Sequence, residues 1–237
     1  MKKNINYQTE ELKRYFSDNR IKWSQLYCSE RKLINSLELK ESNSVLDIGC
    51  GCGGLGLILD KKFHLKDYVG VEINEEQAIL AKERIGSSKI FHSDILKVKE
   101  IKRKFDFVFS LSCIDWNVEF DNMLERSLTY VKPGGSLILT LRLTNQESLV
   151  NMEDSFQYIN YDNEKKGEKA PYIVLNYNEL FVKLLSKNNI KKIHGYGYWK
   201  EKAKTAVCKY DELYYVAICI KTSASSNKSK ILNISDL

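Results

Sequence analysis

The stretch that decides the fold is VLDIGCGCGGLG, residues 45–56. A short apolar run leads into a cluster of glycines, and apolar residues at helical spacing follow it. Glycine lets the backbone turn sharply and lets a ligand approach without an intervening Cβ atom. The stretch therefore predicts a strand, a ligand-binding loop and a helix, in that order. Because the glycines at 49, 51 and 54 also satisfy the GxGxxG pattern of dinucleotide-binding loops, the loop alone does not identify its ligand.

On either side of this stretch, short apolar runs alternate with helical patterns, which is typical of βαβ units and a parallel sheet. No helical pattern separates the last two of the predicted strands, so these two should pair antiparallel. The predicted fold is α/β, with a doubly wound, mostly parallel sheet of seven strands. The strands are expected near 44–49, 68–72, 89–92, 105–111, 136–141, 190–196 and 213–221.

The chain has 237 residues, 43% of them hydrophobic, which is enough for one domain with its own core. We expect a single domain over 1–237. Its parts are a helical cap over 1–40, a ligand-binding core over 41–142, a cap insertion over 143–175, the last helix and terminal strand pair over 176–221, and a frayed tail over 222–237.

Composition limits the cellular setting and the kind of site. No apolar run reaches the roughly 18 residues of a membrane-spanning helix, and the first residues lack the pattern of a secretory signal. The six cysteines form no CxxC pair, and the three histidines lack the spacing of metal ligands. We therefore expect a cytoplasmic protein with reduced cysteines and no protein-built metal site.

The net charge is +6, and seven lysines against one glutamate lie within 187–209. Such a basic stretch favours an anionic partner. The alternative is a solvated, lysine-rich loop.

Three acidic residues, Asp47, Glu72 and Asp94, each lie at or just after the end of a predicted strand. Asp47 would repel a pyrophosphate bound at the following helix, which disfavours a dinucleotide. Glu72 can accept hydrogen bonds from both hydroxyls of an adenosine ribose, and Asp94 can accept from an adenine amino group. The alternatives are a turn cap for Asp47 and a solvated strand end for Glu72.

With the runs VGVEIN, HSDIL, FDFVFSLSCIDW and VKPGGSLILTL, the glycine stretch resembles the class I S-adenosylmethionine (SAM)-dependent methyltransferases over residues 44–141. The resemblance implies a Rossmann-like sheet of order 3-2-1-4-5-7-6 with strand 7 antiparallel. It also implies SAM as the cofactor and S-adenosylhomocysteine (SAH) as the product. By motif position, the cofactor contacts are expected from Asp47, Gly49, Gly51, Glu72, Ile73, Asp94, Ile95, Ser110 and Leu111.

Other candidates would serve the methyl acceptor. Asp115 and His194 are candidate catalytic bases, because a hydroxyl acceptor needs a group that takes its proton. Arg142 could pair with a carboxylate or phosphate of the acceptor. Aromatic side chains that could contact the acceptor are Trp23, Tyr27, Trp116 and Tyr158. The alternatives are core packing for the aromatic residues and His194, and a surface ion pair for Arg142.

These features predict methyl transfer to oxygen or nitrogen of a small, anionic, sugar-containing acceptor. The stretches RYFSDNRIKWSQLYCSERK, APYIVLN and YGYWKEKAKTA are similar to methyltransferases of bacterial surface-polysaccharide gene clusters. Residues 112–117 lack the Asp/Asn-Pro-Pro-Tyr element of family members that methylate amines of bases or glutamine, which argues against nucleobase amines but not against amines generally. Because the net charge is also modest, a nucleic-acid partner is not expected. The alternatives are an RNA or protein methyltransferase that docks through 187–209, a catalytically silent SAM-binding subunit and a nicotinamide dehydrogenase. A homodimer stays open.

Overall fold

A computed structural model describes residues 17–86, 89–160, 162–224 and 230–237, so the first 16 residues of the predicted helical cap lie outside it. The helices are α1 (Cys28–Ser36), α2 (Gly54–Phe63), α3 (Glu75–Ile85), α4 (Phe120–Thr129) and α5 (Tyr177–Ser186), with short 3-10 helices at Trp23–Gln25 and Ile114–Trp116. The strands are β1 (Ser44–Ile48), β2 (Asp67–Glu72), β3 (Ile90–His92), β4 (Phe105–Ser110), β5 (Val131–Thr144), β6 (Phe156–Ile159), β7 (Glu168–Pro171), β8 (Leu175–Asn176), β9 (Ile190–Glu201), β10 (Ala206–Val207), β11 (Glu212–Thr222) and β12 (Ile231–Asp236).

The main sheet has the order β12-β9-β11-β5-β4-β1-β2-β3, with the short β8 paired to β5. Strands β1 to β5 run parallel to one another, and β11 is antiparallel to both β5 and β9. In the numbering of the seven predicted strands this order is 3-2-1-4-5-7-6. The predicted fold class, strand order and antiparallel seventh strand are confirmed.

The prediction of a frayed tail over 222–237 was wrong for its last part. Ile231–Asp236 forms β12, which pairs parallel to β9 and adds a strand at the edge of the sheet. The Tyr214 hydroxyl donates to Oδ1 of Asp236 at 2.6 Å and ties this strand to β11. A free sheet edge offers unpaired backbone groups, so a short apolar segment can dock there. The strand was not predicted because serine- and lysine-rich residues come directly before it, which is typical of a frayed tail.

Helices cover both faces of the sheet, as a doubly wound fold requires. On one face the apolar sides of α4 and α5 pack on the strands, and on the other the apolar sides of α1, α2 and α3 do so. All five residues of β1 are buried, including Asp47. The core therefore encloses the strand that leads into the glycine loop.

The predicted insertion contributes a second, small sheet. Its strands β6 and β7 pair antiparallel, and β10 adds to β6 from the stretch between β9 and β11. A separate apolar cluster that includes Leu149, Tyr172, Val174 and Leu213 joins these parts. The small sheet thus packs as a unit beside the carboxyl end of β5.

Within the described ranges, none of the helices has the length and apolar character to cross a membrane. The same residues contain no group of three or more His, Cys, Asp or Glu side chains placed to hold a metal ion. All six cysteines are free.

Candidate functional site

A cavity lies at the carboxyl ends of β1, β2 and β4, where the order of the sheet reverses beside β1. Ligands of open α/β sheets bind at this kind of switch point. The cavity is lined by the glycine loop, by the segments that follow β2, β3 and β4, and by Asn19 and Arg20 from the start of the described chain.

The glycine loop is held in a conformation that favours glycine. Gly49 and Gly51 have φ angles of +73° and +52°. The backbone N–H groups of Gly49 and Cys50 donate to the Val71 carbonyl at 2.8 and 3.1 Å, which joins the loop to β2. A Cβ atom on Gly49 would lie 2.4 Å from Cys113 Sγ, so any side chain there would collide with the segment after β4.

Glu72 lies at the end of β2 and is 7% exposed. Its Oε2 accepts from the Gly51 N–H and its Oε1 from the Asn74 N–H, each at 2.8 Å. Burial raises the pKa of this carboxyl, and the two amides act in the opposite direction. Each carboxylate oxygen has a second lone pair, so Glu72 can also accept from two hydroxyls of a ligand.

Asp47 is 3% exposed at the end of β1, and the Tyr68 hydroxyl donates to its Oδ2 at 2.6 Å. Burial raises the pKa of Asp47 to about 7, against the opposing effect of the Tyr68 hydrogen bond. A buried carboxyl that titrates near neutrality is well suited to a ligand with positive charge, because such a ligand favours the ionised form.

The segment after β3 brings Asp94 and the buried Ile95 to the same cavity. The Leu96 N–H donates to Asp94 Oδ1 at 2.9 Å, which fixes the carboxylate at the cavity wall. Ile73 and Leu111 also line the cavity, whereas Ser110 is fully buried outside the lining. The resemblance named Ser110 or Leu111 at the methionine end, and of these two only Leu111 lines the cavity.

Asp115 and Arg142 form a buried ion pair outside the cavity lining. Arg142 Nη2 lies 3.1 Å from Asp115 Oδ2, and both side chains are at most 6% exposed. Nη2 also donates to the Asp115 carbonyl, and Nε donates to the Ile173 carbonyl at 3.1 Å. The Trp116 and Tyr172 ring centroids lie 4.5 and 3.9 Å from the guanidinium carbon.

These contacts correct two predictions. The Arg142 charge is matched by Asp115, and its Nε and Nη2 donate to carbonyl groups inside the protein, so Arg142 is not placed to pair with an acceptor. Asp115 faces Arg142 instead of the cavity, so it is not placed as a catalytic base. The alternative of a surface ion pair for Arg142 was also wrong, because the pair is buried. Trp116 does line the cavity.

His194 lies on β9, opposite Cys219 of β11 and Asn233 of β12, two strands beyond β5 and outside the cavity lining. Burial lowers its pKa, and Lys192 and Lys221 act in the same direction. The structure therefore contradicts the prediction that His194 is a catalytic base. Its alternative, a packed strand histidine, fits this position.

The remaining aromatic candidates are spread apart. Trp23 packs beneath Lys62, whose Nζ lies 4.5 Å from the ring centroid, and Tyr158 lies in the small sheet beside Lys169. Neither lines the cavity, so the predicted acceptor contacts of Trp23 and Tyr158 are not supported. Tyr27 does not line the cavity either, so its predicted acceptor contact is not supported. It is 52% exposed, and its ring centroid lies 5.1 Å from the guanidinium carbon of Arg20, a cavity residue.

Sequence reasoning missed several lining residues. Arg20 is the most consequential, because it brings positive charge to a cavity lined by three acids. The others include Gln77, which projects from α3, and Cys113, Asn117 and Met123, which follow β4. No sequence pattern marks them, since each reaches the cavity only through the packing of its segment.

Comparisons with known proteins point to a methyltransferase domain. A family model described as "Methyltransferase domain" matches residues 45–135. The phosphoethanolamine N-methyltransferase of Plasmodium falciparum is 30% identical over 65% of this chain and 59% of its own length. The trans-aconitate 2-methyltransferase of Variovorax paradoxus is 24% identical over 57% of this chain and 50% of its own length. The chain thus spans about half the length of the curated relatives it matches.

A solved structure shares the fold. Phosphoethanolamine N-methyltransferase 2 of Haemonchus contortus, solved with phosphomonomethylethanolamine and SAH, gives a TM-score of 0.54 at 16% identity. The match covers 81% of this chain and 51% of that one.

Proposed function

We propose that the chain, which matches a methyltransferase domain over residues 45–135, is a class I SAM-dependent methyltransferase and transfers the methyl group of SAM to a small anionic acceptor. The observation that carries the proposal is the convergence of Asp47, Glu72 and Asp94 with the glycine loop on one cavity.

The residues of the cavity fit the cofactor. Glu72 can accept from the ribose hydroxyls, while Asp94 and Ile95 can hold the adenine by a hydrogen bond and an apolar contact. The glycine loop lines the cavity at Gly49 and Gly51, where the backbone has no side chain between it and a ligand. When bound there, SAM would supply a methyl group on a positively charged sulfur, and the buried Asp47 would favour that charge.

The residues that line the cavity also limit which atom of the acceptor can be methylated. Among the described residues that line it, none is a histidine, lysine or tyrosine. We assign the three acids and Leu111 to the cofactor, and Trp116, Asn117 and Met123 to the acceptor. A hydroxyl acceptor would need a general base, whereas a neutral amine or an ionised carboxylate is nucleophilic by itself. We therefore favour an amine nitrogen or a carboxylate oxygen as the methylated atom.

The curated relatives support an anionic acceptor of this kind. Their names give phosphoethanolamine and trans-aconitate, which carry phosphate or carboxylate groups. Among small anionic acceptors, the proposal of one that contains a sugar depends on Trp116, because an indole ring can stack on a sugar ring. Arg142 covers the ring at 4.5 Å, so a sugar would need another face or edge of it.

The test is a transfer assay with SAM labelled in its methyl group. The acceptors are phosphoethanolamine, trans-aconitate, amino sugar phosphates, nucleotide sugars and RNA. Labelling of one small anionic acceptor is the expected result. Binding of SAH without transfer to any acceptor would favour a silent subunit. Salt-sensitive labelling of RNA would favour docking through 187–209. Absence of SAM and SAH binding in calorimetry would overturn the proposal.

A further inference from the structure

The side chains that line the cavity include more acidic than basic groups. Arg20 is the one cation among the described lining residues, whereas Asp47, Glu72 and Asp94 are acidic. The methionine end of SAM carries both an ammonium and a carboxylate, and acidic side chains repel the carboxylate. We propose that Arg20 binds the carboxylate of the methionine end of the cofactor. This inference rests on the proposed function and assigns a further binding residue to it.

The backbone around Arg20 is fixed against the glycine loop. Arg20 has a φ angle of +63°, which is uncommon for a residue with a side chain. A Cβ atom on Gly54 would lie 2.2 Å from the Arg20 carbonyl oxygen, so the segment crosses the start of α2 in direct contact. Arg84 Nη1 donates to the Ser17 carbonyl at 2.7 Å, and Gln25 Nε2 donates to the Asp18 carbonyl at 3.0 Å. These contacts hold Arg20 at the cavity.

The guanidinium is oriented by one partner and keeps donors for another. Its Nη2 lies 2.7 Å from Oε1 of Glu30, whose side chain is fully buried. The other Glu30 oxygen accepts from the Tyr27 N–H at 2.8 Å, so Glu30 is itself held in place. A guanidinium has five N–H donors in a rigid fork that matches a carboxylate. The Arg20 side chain is 25% exposed, so the ion pair with Glu30 does not enclose it.

The position of Arg20 selects the methionine end over the adenine end. Arg20 packs on Gly54, which follows β1, and the charges of Arg20 and Asp47 influence each other. Asp47 follows β1, where the resemblance implies the methionine moiety, whereas Asp94 follows β3, where it implies the adenine. A cation on the β1 side of the cavity would pair with the carboxylate while Asp47 favours the ammonium or the sulfonium.

The test compares two ligands that differ only in this carboxylate. Calorimetry would measure the affinity of the full chain for SAM and for decarboxylated SAM. We expect the unmodified protein to bind SAM at least about tenfold more tightly, because a charge-assisted hydrogen bond is lost with the carboxylate. In Arg20→Gln this preference should vanish, and in Arg20→Lys it should be partly kept. Equal affinities in the unmodified protein would overturn the proposal for Arg20 and leave the proposed function intact.

Arg84→Gln is the matched control, because Arg84 holds the same segment but does not line the cavity. This variant should keep the preference for SAM even if both affinities fall. A preference that persists in Arg20→Gln would overturn the proposal, and a raised KM for the anionic acceptor in that variant would assign Arg20 to the acceptor instead. If the unmodified protein binds neither ligand, the proposed function fails with it.

Discussion

The backbone N–H of Gly51 donates to Oε2 of Glu72 at 2.8 Å, which joins the glycine loop after β1 to the end of β2. The same carboxylate accepts the Asn74 N–H through Oε1, and Asn74 is the N-cap of α3. Glu72 therefore fixes two loops of the cavity while it lines the cavity itself. A ligand that bonds to this carboxylate meets a group whose orientation is fixed by two backbone amides.

Replacement of Glu72 tests this arrangement directly. Glu72→Gln keeps one oxygen acceptor but removes the negative charge, so we expect SAH affinity to fall at least about tenfold, and further in Glu72→Ala. Calorimetric titration with SAH measures the change. Glu83→Ala alters an exposed glutamate of α3 and should bind SAH as the unmodified protein does. Unchanged affinity in both Glu72 variants would remove this residue from the site.

The ionisation of Asp47 predicts a pH dependence of cofactor binding. Burial raises its pKa to about 7, so the carboxyl is partly protonated near neutrality before the ligand binds. A cationic ligand favours the ionised form, so SAM affinity should rise as the pH is raised from about 6 to about 8. In Tyr68→Phe the hydrogen bond that lowers this pKa is absent, so the rise should shift to higher pH. Titrations across this range check both, with Asp47→Asn as the pH-insensitive control.

The same carboxyl predicts a trend in stability. Its pKa is higher in the folded protein than the ordinary value of 3.8, so between about pH 4 and pH 7 the folded state holds a proton that the unfolded chain has released. The free energy of unfolding of the ligand-free protein should therefore decrease as pH rises through this window. Asp47→Asn should lessen the decrease and be the more stable form at about pH 8. Urea unfolding at several pH values measures the free energy of unfolding of both proteins. If this energy depends on pH equally in the unmodified protein and in Asp47→Asn, Asp47 is not the cause of the decrease.

The convergence of Asp47, Glu72 and Asp94 on one cavity could be predicted from sequence, because these residues follow the strand pattern. Asp47, Glu72 and Asp94 are each placed by an apolar run, and the carboxyl ends of parallel strands meet at one edge of the sheet. The glycines likewise predict the loop, because their effect on the backbone is local. The order of the strands followed from the resemblance. The sequence did not predict β12, because no helical or turn pattern marks the boundaries of its six residues.

The acceptor side could not be predicted, because partners distant in sequence decide what each side chain does. Arg142 looks like an anion-binding residue at a strand end, but its charge is matched by Asp115 and its Nε by the carbonyl of Ile173, 31 residues away. Arg20 precedes the fold motifs and reaches the cavity through contact with Gly54. Residue type is visible in the sequence, but the partner that neutralises a charge is not.

Gly49 offers a test of close packing in the loop. Gly49→Ala would place a Cβ atom 2.4 Å from Cys113 Sγ at a residue with φ of +73°, so we expect lower stability and loss of SAH binding. Gly86→Ala is the matched control, because Gly86 also has a positive φ, +61°, but no atom within 4 Å of the added Cβ. It should cost only about 1 kcal/mol of stability and leave SAH affinity unchanged. Equal effects of the two variants on SAH binding would show that backbone conformation, not the Cys113 contact, matters.

Substitution of Arg142 tests whether this residue has a structural or an acceptor-binding role. Removal of one partner of a buried ion pair leaves the other charge unmatched, so Arg142→Met should lower the free energy of unfolding by about 3 to 5 kcal/mol. Replacement of Lys66, which pairs with Asp60 on the surface, should have little effect. Asp115→Asn combined with Arg142→Met removes both charges and should recover part of the lost stability, as urea unfolding would show. A stable Arg142→Met variant with a raised KM for the acceptor would instead mean that the guanidinium leaves Asp115 to bind the acceptor during turnover.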